Sequence, residues 1–209
     1  MGGGLPKPLL NLAGRSILAR SVDTVLRSGL CQRIVVLAPA PLIDAYRTEA
    51  GAAVEVIPGG ETRAASVRRG LQHLKQFLPP AGEALVLVHD AARCCVSADL
   101  LVRAVSAART ARAVTTAVPV VDTVLTVAPA GGIERFLDRS VLRAVQTPQV
   151  FTFSLLEAAH ARAEGEATDD ASLVQLLHPV TVIPGERSNL KVTTPEDLAL
   201  AATLLRGEG

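Results

Sequence analysis

The chain has 209 residues, of which 49% are hydrophobic and 20% charged; it can bury a core and is not typical of a disordered protein. Aromatic residues make up only 2%, which argues against a base-stacking nucleic-acid platform. The net charge is +1, so no global field attracts the chain to nucleic acid or to an acidic membrane. We therefore expect a single domain over residues 1–209, with neither nucleic acid nor membrane as a partner.

The cysteines and histidines argue against a metal centre and a disulfide framework. Three cysteines (Cys31, Cys94 and Cys95) form no CxxC pair, and the four histidines have no metal-ligand spacing. No apolar run approaches the roughly 18 residues of a membrane helix, and the first residues lack a signal-peptide core. This pattern predicts a cytoplasmic protein that has no metal ligands of its own.

Short β-branched runs alternate with longer helical patterns along the chain. Thr62 stands where the cap of one such helix is expected. The alternation predicts an α/β fold with a mostly parallel sheet and helices on both faces. Ligands of such sheets bind beyond the carboxyl ends of the strands. The predicted strands cover residues 34–38, 54–57, 85–89, 113–118 and 180–183, and the predicted helices cover 63–77, 100–111, 153–165 and the stretch from Pro195 to about Arg206.

The alternation stops at residues 121–145. Two extended runs on either side of the turn at 128–132 predict a protruding hairpin or arm instead of another strand–helix unit. An extended arm without its own core usually packs on something else, often a second subunit. The TPQ sequence at residues 147–149 follows the arm and says little by itself.

Two loops that follow predicted strands contain residues suited to a polar ligand. Pro58–Ser66 has two glycines before a helix, so its backbone could approach an anion closely. In the second loop, Asp90 and Arg93 could hold a polyol and a phosphate together. A simple turn, or an Asp–Arg pair that caps a helix, would account equally well for either motif alone. Residues 168–172 (TDDAS) likewise read as an ordinary helix start with acidic residues in its first turn.

Lysine is rare in this chain, with three lysines against eighteen arginines. Lys75 lies in a helix of mixed polarity, whereas Lys7 and Lys191 lie in loops marked by glycine or proline, where a compact charge suits phosphate binding. The chain also has no Ser–His–Asp or Cys–His arrangement. A reaction that needs positioning and charge neutralisation, such as phosphoryl-type transfer from a nucleotide, fits this composition best.

Seven motifs in order complete the pattern, covering the chain from Pro6 to Leu205: PK, GGETRAASV, VLVHDAAR, VPVVDT, RAVQTPQ, TDDASLV and LKVTTPEDL. Together they resemble the 2-C-methyl-D-erythritol 4-phosphate cytidylyltransferase family. The resemblance implies a Rossmann-like nucleotidyltransferase fold and a Mg²⁺-dependent reaction in which methylerythritol phosphate attacks the α-phosphate of CTP and releases pyrophosphate. It also implies a homodimer interlocked through the arm at about residues 121–145.

The resemblance also assigns roles by motif position. Lys7 would stabilise charge on the α-phosphate, while Arg139 and Lys191 would position methylerythritol phosphate. Thr123 and Arg139 would reach the site from the partner's arm. Thr147 would also contact methylerythritol phosphate. The full set of implied substrate-binding positions comprises the cytosine and ribose pocket (Gly60, Glu61 and Ser66), the sugar and phosphate contacts (Asp90 and Arg93), and Arg63, Ala91, Thr123, Thr147 and Thr168.

The sequence departs from the family pattern at its beginning. The family's opening strand and glycine-rich phosphate loop have no counterpart, and Gly2–Gly4 would be the tail of that loop or a harmless flexible start. From this we expect a start further upstream, and a 209-residue form that is poorly soluble or inactive. Cys94 and Glu61 stand where the family commonly has proline and aspartate.

Two other functions stay open at this point. Ribitol-5-phosphate cytidylyltransferases resemble the same family, and an inactive relative would also lack the phosphate loop. A dinucleotide dehydrogenase is disfavoured, because no GxGxxG follows any predicted strand.

Overall fold

The computed structural model describes residues 6–78, 83–163 and 167–206. Gly2–Gly4 and the predicted end of helix 153–165 lie outside these residues. The helices are α1 (Ile17–Ser28), α2 (Ile43–Ala50), α3 (Arg63–Lys75), α4 (Ala98–Ala111), α5 (Phe153–Arg162), α6 (Asp170–Val174) and α7 (Pro195–Arg206). The strands are β1 (Asn11–Leu12), β2 (Arg15–Ser16), β3 (Val35–Ala38), β4 (Glu55–Pro58), β5 (Leu85–Val88), β6 (Ala113–Pro119), β7 (Val124–Val127), β8 (Ile133–Leu137), β9 (Arg143–Thr152) and β10 (Thr181–Pro184).

The main sheet has the strand order β10-β6-β9-β5. Strand β10 runs parallel to β6, whereas β9 is antiparallel to both β6 and β5. Three of the four strands therefore point the same way, and the predicted α/β, Rossmann-like class with a mostly parallel sheet is confirmed. The central position of β9 was not predicted from the sequence, which reads this stretch as the close of the arm. Strand β9 carries buried polar residues where a buried strand is expected to be apolar.

Helices cover both faces of this sheet because successive side chains of a strand point to opposite sides. Val150 packs with Ala104 and Ala108 of α4 on one face. Its neighbour Phe151 packs with Leu156 of α5 and Val174 of α6 on the other face. This packing places the carboxyl end of β5 beside the start of α3 and α6, where polar residues cluster.

Strands β3 and β4 form a separate parallel pair. A cleft of about 1180 Å³ lies between β3 and β5, lined by residues of both strands and of α1 and α3. Among the described residues, the two strands pair with other strands and not with each other. The family resemblance predicts a further strand inside the sheet, and that remains a prediction.

The predicted arm contains a hairpin. Strands β7 and β8 pair antiparallel, and the turn between them is closed by the amide of Gly131, which donates to the carbonyl of Ala128 at 2.8 Å. Gly131 has a φ of +87°, a conformation that favours glycine. In the parts of the chain that the structure describes, no helix is both long enough and apolar enough to cross a membrane.

Gln149 of β9 connects the sheet to α6 through a fully buried amide. Its Nε2 donates to the Thr115 hydroxyl at 3.0 Å, and its Oε1 accepts from the Ala171 amide at 3.1 Å. We expect Gln149→Leu to lower the free energy of unfolding by about 1–3 kcal/mol for each buried group left unpaired. Urea unfolding measures this difference. Gln175→Leu is the control, because exposed Gln175 also accepts from a backbone amide, that of Val180, and water can replace it there. Equal losses in the two variants would contradict the prediction.

Candidate active site

Asp90 follows β5 directly and is the centre of a charged cluster. Its Oδ2 lies 2.8 Å from the Lys191 ammonium, and its Oδ1 lies 3.4 Å from Nε of Arg63. Arg93 Nε is 4.0 Å from Oδ2. The Asp90 side chain is only 17% exposed, so these charges interact in surroundings that screen them less than bulk water does. The structure thus brings together four residues that the sequence predicted for the site.

The cations keep Asp90 ionised. Burial by itself raises the pKa of Asp90, but the hydrogen bond and charge of Lys191, together with Arg63, hold it below its ordinary value. Burial also acts to lower the pKa of Arg63, and two carboxylates, Asp170 and Asp90, outweigh it and raise that pKa. For Arg93, burial dominates and lowers the pKa despite the nearby Asp90. Cations exceed carboxylates at this point, so the cluster favours an anionic ligand.

The loop before α3 is fixed by hydrogen bonds to the first turn of that helix. Thr62 is confirmed as the cap of α3, since its hydroxyl accepts from the Ala65 amide at 3.1 Å. The Gly60 amide donates to the Ser66 hydroxyl at 3.0 Å, which in turn donates to the Thr62 carbonyl. A Cβ on Gly60 would lie 2.4 Å from that of Ala65, so only glycine fits here. Glu61, at the tip of this loop, is exposed.

A histidine and a threonine support the Asp90 loop from below. The Asp90 amide donates to Oγ1 of Thr147 at 3.0 Å, and Oγ1 lies 3.1 Å from Nδ1 of His89. Nε2 of His89 is 3.2 Å from the Arg93 carbonyl, which can only accept. Nε2 therefore carries the proton, and Nδ1 accepts from the Thr147 hydroxyl. Thr147 is buried, so in this structure its hydroxyl holds the loop, whereas the sequence predicted a substrate contact.

The Lys191 loop is attached to the Asp90 loop through its backbone. The Val192 amide donates to the Ala92 carbonyl at 2.9 Å, and Nη1 of Arg93 donates to the Asn189 carbonyl at 2.9 Å. Lys7 approaches the same loop from the other end of the chain, with its ammonium donating to the Thr193 carbonyl at 2.8 Å. Lys191 thus lies on this loop, and Lys7 contacts it. Ala91 accepts from the Ser21 hydroxyl through its carbonyl, which fixes the Asp90 loop to α1.

Several predicted residues do not contact the cluster, and three of them lie on the arm or just before α6. Arg139 donates to the Val121 carbonyl within the arm and is exposed, as is Thr123. Thr168 is also exposed, two residues before α6. The contacts of the described residues therefore leave all three side chains outside the Asp90 cluster in a single copy of the chain.

Sequence reasoning missed Asp170 and His160. The Asp170 carboxylate is buried, 2.8 Å from Nη2 of Arg63 and 2.8 Å from Nε2 of His160. The TDDAS motif was read as a helix start, and Asp169 does cap α6 by accepting from the Ser172 amide at 2.7 Å. The sequence did offer one signal for Asp170. A helix cap needs only one acceptor, which Asp169 supplies, so the second aspartate indicates another role.

Comparisons with known proteins agree on one family. The family model described as 2-C-methyl-D-erythritol 4-phosphate cytidylyltransferase matches residues 1–207. A protein of that name from Rhodococcus jostii is 44% identical over 208 residues, covering 98% of this chain and 89% of its own. One from Synechocystis is 39% identical, with coverage of 98% and 91%. The crystal structure of the Thermus thermophilus protein of the same name superposes with a TM-score of 0.82 at 36% identity, covering 98% of this chain and 95% of its own.

His89 makes stability depend on pH. Burial is the main cause that lowers the pKa of His89 to about 4, from an ordinary 6.5. Between these values the unfolded chain binds the proton more readily, so the free energy of unfolding falls as the pH falls through this window. We expect His89 to account for about 2 kcal/mol of the stability lost between roughly pH 7.5 and pH 5. Urea unfolding at both pH values should show this loss in the wild type and a smaller one in His89→Gln. Equal losses would contradict the assignment.

Proposed function

Because the chain belongs to the 2-C-methyl-D-erythritol 4-phosphate cytidylyltransferase family, we propose that the Asp90 cluster is where its reaction takes place. The enzyme joins CTP and methylerythritol phosphate to give 4-diphosphocytidyl-2-C-methyl-D-erythritol and pyrophosphate, in non-mevalonate isoprenoid biosynthesis. The observation that carries the proposal is the Lys191 ammonium, 2.8 Å from Asp90 and beside two arginines at the carboxyl end of a strand.

The chemistry suits a cluster of this composition. An oxygen of the methylerythritol phosphate attacks the α-phosphorus of CTP, and the bond to pyrophosphate breaks. The attacking phosphate is already ionised at neutral pH, so no general base is needed, and positioning and charge stabilisation provide the rate. Lys191 and Arg139 would hold the attacking phosphate. Lys7 would stabilise the charge that develops on the α-phosphate.

The nucleotide would bind on the α3 side of the cluster. Gly60, Glu61 and Ser66 would line the cytosine and ribose pocket, with the Gly60 amide donating to the Ser66 hydroxyl. Arg63 and Asp90 would contact the ribose and phosphates, together with Ala91 and Arg93 of the same loop. Thr168 would approach from the α6 side, and Thr147 would act through the loop that it supports.

Mg²⁺ would arrive bound to the CTP phosphates. Among residues 6–78, 83–163 and 167–206, no group of three His, Cys, Asp or Glu residues could hold a metal ion, and Asp90 already faces Lys191 and Arg63. Mg²⁺ keeps several waters and commonly takes substrate phosphates as ligands, which fits a site with one carboxylate. When bound, it neutralises phosphate charge.

The arm would join two subunits. Its apolar side chains are largely exposed in one copy of the chain, with Phe136 63%, Ile133 61% and Val127 61% exposed. Exposed apolar groups in a row are typical of a protein interface. Across it, Thr123 and Arg139 would reach the partner's Asp90 cluster. This homodimer would work in the cytoplasm, in keeping with the free thiols Cys31 and Cys94, and the net charge of +1 supports neither nucleic acid nor membrane as a partner.

Lys191→Ala tests the reaction and its site together, in a chain extended upstream by the opening strand and glycine-rich loop that the family pattern predicts. We expect turnover of CTP with methylerythritol phosphate to fall by about 10²–10³, the usual loss for one charge-stabilising group, with the fold intact. Pyrophosphate release is the measurement. Lys75→Ala is the matched control, because Lys75 forms an exposed ion pair with Glu157 and should keep full activity. An unchanged rate in Lys191→Ala would contradict the proposal. In a second experiment, wild type is offered ribitol 5-phosphate and methylerythritol phosphate together and should consume methylerythritol phosphate. Preference for ribitol 5-phosphate would also contradict the proposal.

Mixed dimers test whether Arg139 acts across the interface. Combining Arg139→Ala subunits with Asp90→Ala subunits should restore about a quarter of wild-type activity, since half of the dimers are mixed and one of their two sites is intact. Asp90→Ala subunits combined with Lys191→Ala subunits should restore no activity, because one subunit supplies both residues of a site. Recovery in neither mixture would mean that the arm serves its own subunit.

A further inference from the structure

A chain of buried polar contacts extends away from the Asp90 cluster. The Asp170 side chain is only 1% exposed, and its two oxygens are each 2.8 Å from a partner, Nη2 of Arg63 and Nε2 of His160. The His160 side chain is 2% exposed. These two side chains lie beneath the site and are shielded from a ligand in the cleft.

Arg63 connects this buried pair to the site. Its Nη2 faces Asp170 while its Nε faces Asp90 at 3.4 Å. One guanidinium therefore spans two carboxylates, one buried and one at the end of β5. Because the guanidinium is planar and rigid, fixing one nitrogen also fixes the direction of the others.

We infer that Asp170 is a positioning residue for the nucleotide: it orients Arg63, with His160 holding its other oxygen. The inference rests on the proposed function, in which Arg63 contacts CTP. It assigns to Asp170 an effect on CTP binding that is separate from the helix cap supplied by Asp169.

The cost of burying this carboxylate supports a specific role. A buried charge is unfavourable unless it is paired, and a neutral side chain of similar shape would fill the same space. Helix α6 is already capped by Asp169, so the start of the helix does not need a second acid. What Asp170 adds is a fixed negative partner for Arg63 on the side away from Asp90.

Without Asp170, Arg63 would be free to turn fully towards Asp90. Its orientation towards the nucleotide would then be lost, while Lys191 would keep its own oxygen of Asp90, Oδ2. The defect should fall on CTP, because Lys191 and Arg139, which are proposed to hold methylerythritol phosphate, make no contact with Asp170 among the described contacts.

Asp170→Asn, which keeps the shape and removes the charge, is the test. We expect KM for CTP to rise about 10-fold, because Arg63 loses the close ion pair that orients it, with KM for methylerythritol phosphate changed less than about twofold. The control is Asp169→Asn, in which asparagine still caps the helix, and both KM values should stay at the wild-type level. Calorimetric titration of CTP provides a second measurement that does not depend on turnover.

A double-mutant comparison separates positioning from stability. In an Arg63→Ala background, adding Asp170→Asn should leave KM for CTP unchanged, since the residue through which it acts is gone. A merely structural role would produce the same additional loss in both backgrounds, and that result would overturn the inference.

The His160 variants keep the inference testable if Asp170→Asn does not fold. His160→Leu should raise KM for CTP in the same direction, and His160→Gln, which retains a donor for Asp170, should recover most of the loss. Wild type extended upstream in the same way that neither binds nor turns over CTP would overturn the proposed function and this inference with it. If the wild type is active but Asp170→Asn and both His160 variants have the same KM for CTP as the wild type, the inference alone is overturned.

Discussion

The carboxylate of Asp90 holds together parts of the chain that are far apart in sequence. Lys191, Arg63 and Arg93 all face it, and without it these cations would repel one another at close range. The carboxylate therefore assembles the positive charge before any substrate arrives. In the proposed reaction, phosphate groups would then become the partners of the cations with little rearrangement, which is the benefit of a preorganised site.

Strand β9 supports that assembly with side chains that are buried but polar. Gln146 donates to the Glu186 carbonyl, Thr147 accepts from the Asp90 amide, and Gln149 accepts from the Ala171 amide. Each of these side chains reaches a different loop or helix start. A strand of purely apolar residues would pack equally well and would leave all three segments without a fixed position relative to the sheet.

The sequence predicts the apolar strands and the amphipathic helices because their periodicity reflects burial directly. It does not predict β9, since buried glutamines and threonines look like surface residues until their partners are known. The pairing of Asp90 with Lys191 also has no local signal. The resemblance of ordered motifs assigns both residues to one site but does not predict that they pair. Asp169 and Asp170 show the limit most clearly, because two adjacent acids at a helix start look alike in sequence while only one of them is buried.

The cleft between β3 and β5 has a consequence for motion. No ladder of backbone hydrogen bonds joins the β3–β4 pair to the main sheet among the described residues, so without the further strand that the family resemblance predicts, either unit can open without breaking the ladder of the other. Local opening in such cases occurs at a lower free energy than global unfolding. Amide hydrogens of β3 and β4 should accordingly exchange with solvent sooner than those of β6 and β9, whereas Arg63 stays with the main sheet, because Leu71 of its helix α3 packs with Phe151 and Leu156.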